Sequence, residues 1–163
     1  MRTIPLLPSL FTFVSGLALL GCSSDDSAGS GKPATDSAYP AAAEKCFNAI
    51  NTYRATLNLT PYTRAVDDEP CADSAAKSDS ISGTAHGAFG MCGESAQNEC
   101  PGWGGTPDSM IDGCLQMMWD EGPGADFDTH GHYINMSSTT YTTVACGFFV
   151  TPAGDVWSVQ NFH

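Results

Sequence analysis

The chain has 163 residues, 42% hydrophobic and 15% charged, with a formal net charge of -12 and a pI near 4.3. That length fits one domain, and the apolar fraction supports a core, which excludes a wholly disordered chain. The acidic balance disfavours electrostatic binding to nucleic acid, and no apolar run reaches the ~20 residues that span a bilayer.

Met1-Arg2 gives a short positive start, and residues 6–20 form an apolar stretch of signal-peptide length. The stretch ends in Leu19-Leu20-Gly21-Cys22, which resembles the lipobox of bacterial lipoproteins. That resemblance implies cleavage after Gly21 (signal 1–21) and acylation of Cys22, so that the protein sits on a membrane without entering it. An ordinary secretory signal with a coincidental Cys22 is the competing reading. Ser23 rather than Asp after the cysteine favours the outer membrane over the inner one. Beyond it, residues 22–40 are rich in Ser, Asp, Gly, Ala and Pro and read as a flexible tether. The folded domain is expected over 41–163.

Within it, residues 41–57 have Cys46, Phe47, Ile50, Tyr53 and Leu57 at helical spacing. A second helix is expected from Glu69 or Pro70 to about Ser80, with Pro70 suited to the first turn. Residues 82–90 read as Gly-rich loop, Glu94 opens an irregular segment, and 101–107 read as loop again. A third helix follows from about Asp108, near its cap, to Glu121, stopped by Gly122-Pro123-Gly124. Residues 141–150 and 155–162 alternate as strands about a Pro152-Ala153-Gly154 turn. Helices first and a hairpin last point to an α+β sandwich. Apart from Cys22, six cysteines remain: Cys46, Cys71, Cys92, Cys100, Cys114 and Cys146. In an oxidising compartment six imply three disulfides, with pairing left open, and the absence of any C-x-x-C disfavours zinc–thiolate.

Five segments in order resemble the CAP superfamily of cysteine-rich secretory, antigen 5 and pathogenesis-related proteins. They are Asn51-x-Tyr53-Arg54-Ala55, His86 eight residues before Glu94 in Gly93-Glu94, Trp119-Asp120-Glu121, Gly131-His132-Tyr133-x-Asn135, and Val144-Ala145-Cys146-Gly147. Ile50, Met118 and Ser95 depart from the family pattern. The resemblance implies a disulfide-stabilised three-layer α-β-α sandwich with a central, mainly antiparallel sheet. It also implies a cavity lined by His86, Glu94, Glu121 and His132, with Tyr133 and Asn135 as ligand-contact candidates.

Two imidazoles and two carboxylates around one cleft can bind a divalent metal such as zinc, activate water with Glu94 and Glu121 as base and acid, or simply tie chain segments together. There is no H-E-x-x-H, G-x-S-x-G, P-loop or dinucleotide fingerprint, which counts against a conventional enzyme. The leading expectation is a lipid-anchored, extracytoplasmic binding module of the cell envelope. It would carry a His/Glu metal cavity and a groove for a small lipid, sterol-like or peptide ligand. A metal-dependent hydrolase and a disulfide-held structural or adhesion protein are the alternatives. His130 reads as a loop residue, Asp126 and Asp128 as solvated, Met117 and Met118 as helix core, and Asn51, Tyr53 and Arg54 as anchors of the first helix.

Overall fold

A computed structural model describes residues 37–163, so the expected signal segment, the expected lipidation site at Cys22 and most of the expected tether lie outside the described residues. Helix α1 (Pro40–Thr56) starts on a proline, whose missing N–H costs nothing in a first turn, and buries Ala43, Cys46, Ile50 and Arg54 at spacings of three and four. Arg54 is an anchor. Its Nε and Nη2 donate to the Thr60 carbonyl at 3.0 and 2.7 Å, and Nη1 donates to the carbonyls of Met136 and Ser138, both at 2.8 Å. Its guanidinium lies 3.6 Å from the Tyr62 ring centroid, so a buried cation is answered by carbonyl dipoles and a π face.

After a short strand β1 (Thr63–Arg64) and a 3-10 turn (Val66–Asp68), α2 (Glu69–Ser82) presents Ala72, Ala75 and Ala76 to the sheet. There follow β2 (Ala96–Gly104), α3 (Pro107–Asp120), α4 (Phe127–Ser137), β3 (Thr143–Val150) and β4 (Asp155–Phe162). The sheet order is β1-β3-β4-β2, with β1 parallel to β3 and the remaining pairs antiparallel. Alternation along β3 and β4 divides the core in two. Val144, Cys146, Phe148, Val156 and Phe162 join the α1/α3/α4 side, while Ala145 and Val159 join the α2 side. Burying each large side chain of this set is worth about 1.5–3 kcal/mol. The result is the expected α+β sandwich: helices on both faces of one mainly antiparallel sheet.

Gly147 is where α2 comes closest, since a Cβ there would lie 2.1 Å from the Ala72 carbonyl carbon. Three disulfides tie the layers: Cys46–Cys146 joins α1 to β3, Cys71–Cys92 joins α2 to the following loop, and Cys100–Cys114 joins β2 to α3. Among the described residues no helix is long and apolar enough to cross a membrane.

Four expectations need correction. Residues 96–104, read as irregular segment and loop, form strand β2. Pro101 falls where the register slips between Cys100 and Trp103 on an edge strand, a position proline tolerates. Residues 127–137, given no element from the sequence, form α4, so His130, read as a loop residue, belongs to a helix. The cap of α3 is Thr106, paired with Ser109 in a reciprocal box, rather than Asp108. Met117 is exposed, whereas Leu115 and Met118 are core.

Candidate functional site

The loop from 83 to 95 leaves α2 through Gly83 in a left-handed cap and is held down by Cys71–Cys92. His86 sits in it at φ +58, a conformation uncommon for a residue with a Cβ and maintained only where its surroundings enforce it. The enforcing group is Glu99: its carboxylate accepts the His86 N–H. The imidazole Nδ1 lies 3.0 Å from Gln97 Oε1 and 3.7 Å from Glu99 Oε2.

A chain of fixed orientations follows. Glu94 is an acceptor only, and its oxygens take the N–H groups of Gly90 at 2.8 Å and Cys92 at 3.0 Å. The amide nitrogen of Gln97 therefore faces Glu94, at 3.4 Å, and Asn161 Oδ1, at 3.0 Å. That leaves Gln97 Oε1 as the acceptor towards His86, so the neutral imidazole carries its hydrogen on Nδ1 and its lone pair on Nε2.

Behind His86, Glu99 on β2 faces Asp79 on α2, and both are buried. Both Asp79 oxygens and Glu99 Oε1 lack a hydrogen-bond donor, which two ionised carboxylates cannot sustain in a dry interior. Burial, with Asp79 alongside, pushes the Glu99 carboxyl up to about 7, and burial also raises Asp79. The pair is therefore held by a proton shared between Glu99 and Asp79.

The second histidine is built from the other side of β2. Glu121, at the end of α3, places Oε1 2.5 Å from His132 Nδ1 and accepts the N–H groups of His132 at 3.0 Å and Tyr133 at 3.3 Å through Oε2. His130 Nδ1 lies 2.7 Å from the Glu121 carbonyl oxygen, so it braces the α3–α4 junction. Asp126 caps α4 by accepting from the Asp128 N–H. Asn135 is buried and donates Nδ2 to Asn98 Oδ1 at 2.9 Å and to the Gln97 carbonyl at 3.5 Å.

A cavity of about 450 Å3 opens at this end of the sheet, bordered by His86, Phe89, Gln97, Phe127, Asn135 and Tyr141 among others. Two of the expected site residues, His86 and Asn135, line it. Tyr133 does not: its ring packs on Trp119 at 4.6 Å, and Trp119 in turn stacks on Tyr53 at 5.3 Å, in an aromatic run from α4 to α1.

The four-residue ligand set is also not gathered as expected. Among the described residues no three His, Cys, Asp or Glu side chains are grouped to hold a metal ion. The reason lies in the two glutamates. Glu94 is committed to its own loop, and Glu121 to His132 and the α4 backbone, so as placed neither carboxylate fits the role of metal ligand. The cavity residues Phe89, Gln97, Phe127 and Tyr141, and the buried Asp79 and Glu99, carry no motif that a single sequence displays. The polar run Gln97-Asn98-Glu99 looks like surface until its partners are known.

No curated protein matches the sequence. The crystal structure of Na-ASP-1 superposes with a TM-score of 0.55 at 11% identity, covering 82% of this chain and 43% of that one. The chain thus spans less than half of that protein, and the likeness is one of fold. The structure of Schistosoma mansoni venom allergen-like protein 4 (SmVAL4) gives a TM-score of 0.48 at 12% identity, covering 74% of this chain and 88% of that one. The profile of the cysteine-rich secretory protein family, CAP, matches residues 47–162, nearly all of the described domain. With that match, the helix–sheet–helix layering and the three disulfides, the chain belongs to the CAP family.

Proposed function

We propose that the chain is an extracytoplasmic ligand-binding module, held at the envelope by acylation of Cys22, with the His86 cavity as its binding site. One observation carries the binding reading: an aromatic-bordered cavity of about 450 Å3 into which a tautomer-fixed imidazole is placed by a strained, carboxylate-held loop residue. Catalysis has less behind it. All six cysteines of the domain are in disulfides, and the glutamates expected as base and acid spend their oxygens on backbone N–H groups. The three disulfides fit an oxidising compartment.

The test is ligand-observed NMR of the oxidised protein with a fragment set of small aromatic amides, alcohols and amines. Binding lost in both His86→Ala and the exposed-rim variant Phe127→Ala supports the reading. Fragments that bind both variants as they bind the wild type overturn it. For the anchor, the mass of the purified mature protein should show acyl chains that Cys22→Ser removes.

A second reading has its own observation. The Nδ1 atoms of His86 and His132 are both engaged by neighbours, the arrangement that orients metal-binding imidazoles through a supporting shell. On it, the Nε2 atoms of His86 and His132 would ligate a divalent ion such as zinc, and Glu121 would orient His132 rather than ligate. Calorimetric zinc titration of wild type against His86→Ala/His132→Ala decides it: one-to-one binding lost in the double variant supports this reading, and no binding by wild type removes it.

A further inference from the structure

The polarity of the cavity indicates what enters it. Asn135 spends its nitrogen on Asn98 and the Gln97 carbonyl, which leaves its oxygen as the polar atom the side chain has to offer. Gln97 is fully committed between Glu94, Asn161 and His86. His86, its hydrogen on Nδ1, offers a lone pair at Nε2. His86 and Asn135 thus offer acceptors, and the hydroxyls of Ser95 and Tyr141, which also border the cavity, can accept as well as donate, so the site suits a ligand rich in donors.

The charge around it agrees. Phe127, which borders the cavity and is 59% exposed, lies between the exposed acids Asp126 and Asp128. Phe89, also on the border, is 53% exposed. Among the described residues the basic side chains are engaged elsewhere. Lys45 pairs with Asp108 and Asp112, Arg54 is buried on carbonyls, Arg64 holds Glu69, and Lys77 lies over Phe149. None lines the cavity, so an anionic ligand would meet a chain of net charge -12 with no cation to receive it. A cation on an apolar stem finds phenyl faces for the stem and charge, two acceptors in the lining, and a strongly acidic chain around it.

We infer that the cavity binds the lysine or arginine side chain of a basic peptide, its stem against the border phenyl rings of Phe89 and Phe127 and its donors on His86 Nε2 and Asn135 Oδ1. This rests on the binding reading above and adds the class of ligand. Proteins or peptides presenting exposed basic residues are the corresponding partners, and the acidic surface steers their approach.

The experiment is calorimetric titration of the full oxidised chain with capped tetrapeptides that differ at one central position: lysine, arginine, the neutral isostere norleucine, or glutamate. The basic peptides should bind about tenfold or more tighter than the norleucine peptide, with no detectable glutamate binding. That advantage should shrink several-fold from low to about 0.5 M salt, and also in Asp128→Asn, whose side chain is exposed. A norleucine peptide that binds as well as lysine overturns the cationic assignment and leaves the cavity reading standing. Fragments that bind while no basic peptide does overturns the assignment in the same way, whereas failure of fragments and peptides alike removes both readings.

Discussion

The buried pair Asp79–Glu99 makes the stability of this domain depend on pH in an unusual direction. Glu99 has its carboxyl raised to about 7 by burial and by Asp79, against an ordinary glutamate value of 4.5. A carboxyl raised on folding means that the native state keeps a proton the unfolded chain has already released. Its contribution to stability is therefore intact below the unfolded value and is lost as pH rises towards the folded one. A shift of this size amounts to about 3 kcal/mol, lost across the window from about pH 4.5 to about pH 7. The groups facing Glu99 are Asp79 from α2 and His86 from the loop, so one substitution isolates the effect.

In Glu99→Gln the amide nitrogen can donate to Asp79 and the amide oxygen can accept the His86 N–H, with nothing left to titrate at position 99. Urea unfolding of the oxidised protein should find the variant within about 0.5 kcal/mol of wild type near pH 5 and more stable by up to about 3 kcal/mol near pH 8. A variant less stable than wild type near pH 8, or a difference that does not change with pH, would refute the shared proton.

Gly147→Ala should destabilise by about 3 kcal/mol or more and loosen α2, because its Cβ would meet the Ala72 backbone, which cannot move aside like a side chain; unfolding curves and amide exchange along α2 check this. Arg54→Met should cost about 3–5 kcal/mol, since three carbonyls lose a charged donor in a buried site; a loss within about 0.5 kcal/mol by the same assay would mean that water replaces the guanidinium. Glu94→Gln should leave the fold intact but allow the Gln97 amide to turn over, moving the His86 hydrogen from Nδ1 to Nε2 in part of the population. Nitrogen chemical shifts of the imidazole report that tautomer directly, and shifts identical to wild type would detach Glu94 from His86.

Much of the fold is legible in the residues because its drivers are local. Cys46, Ile50 and Arg54 repeat at helical spacing, Gly83 closes α2, and Val144 to Val150 alternate as a strand should. The misreadings share one cause. Helix α4 contains Gly131, two histidines and a threonine, none of them strong helix formers, and it stands on the Asp126 cap and on Arg54, Glu121 and Tyr62, which reach it from other elements. Strand β2 reads as surface because its buried positions are Gln97, Asn98 and Glu99. Their partners lie 37 and 38 residues away at Asn135, 64 away at Asn161 and 13 away at His86, beyond any local pattern. The site was legible in the same uneven way: the motif resemblance marks His86 and His132, but not that Glu94 and Glu121 act on them as positioning groups.

That polar strand is itself an argument for function. An interior built for stability alone would fill β2 with apolar side chains, as β3 does on the α1 side with Val144, Cys146 and Phe148. Instead alternation is used to serve two histidines from one strand, with Gln97 and Glu99 turned to His86 and Asn98 bonded to the His132 carbonyl. The cost is visible in the same place: besides the Asp79–Glu99 pair, which shares a proton, the buried polar atoms without partners among the described residues include Gln160 Oε1 and Asn161 Nδ2 on β4 beside it. Each such atom forgoes about 1–3 kcal/mol that an apolar replacement would recover. Three disulfides and a cation bonded to three carbonyls offset that loss elsewhere in the domain. Asp79 and Glu99 lie directly behind His86, so the buried polarity of β2 is concentrated at the residue that the binding reading places in the cavity, and the rest of the fold is braced against its cost.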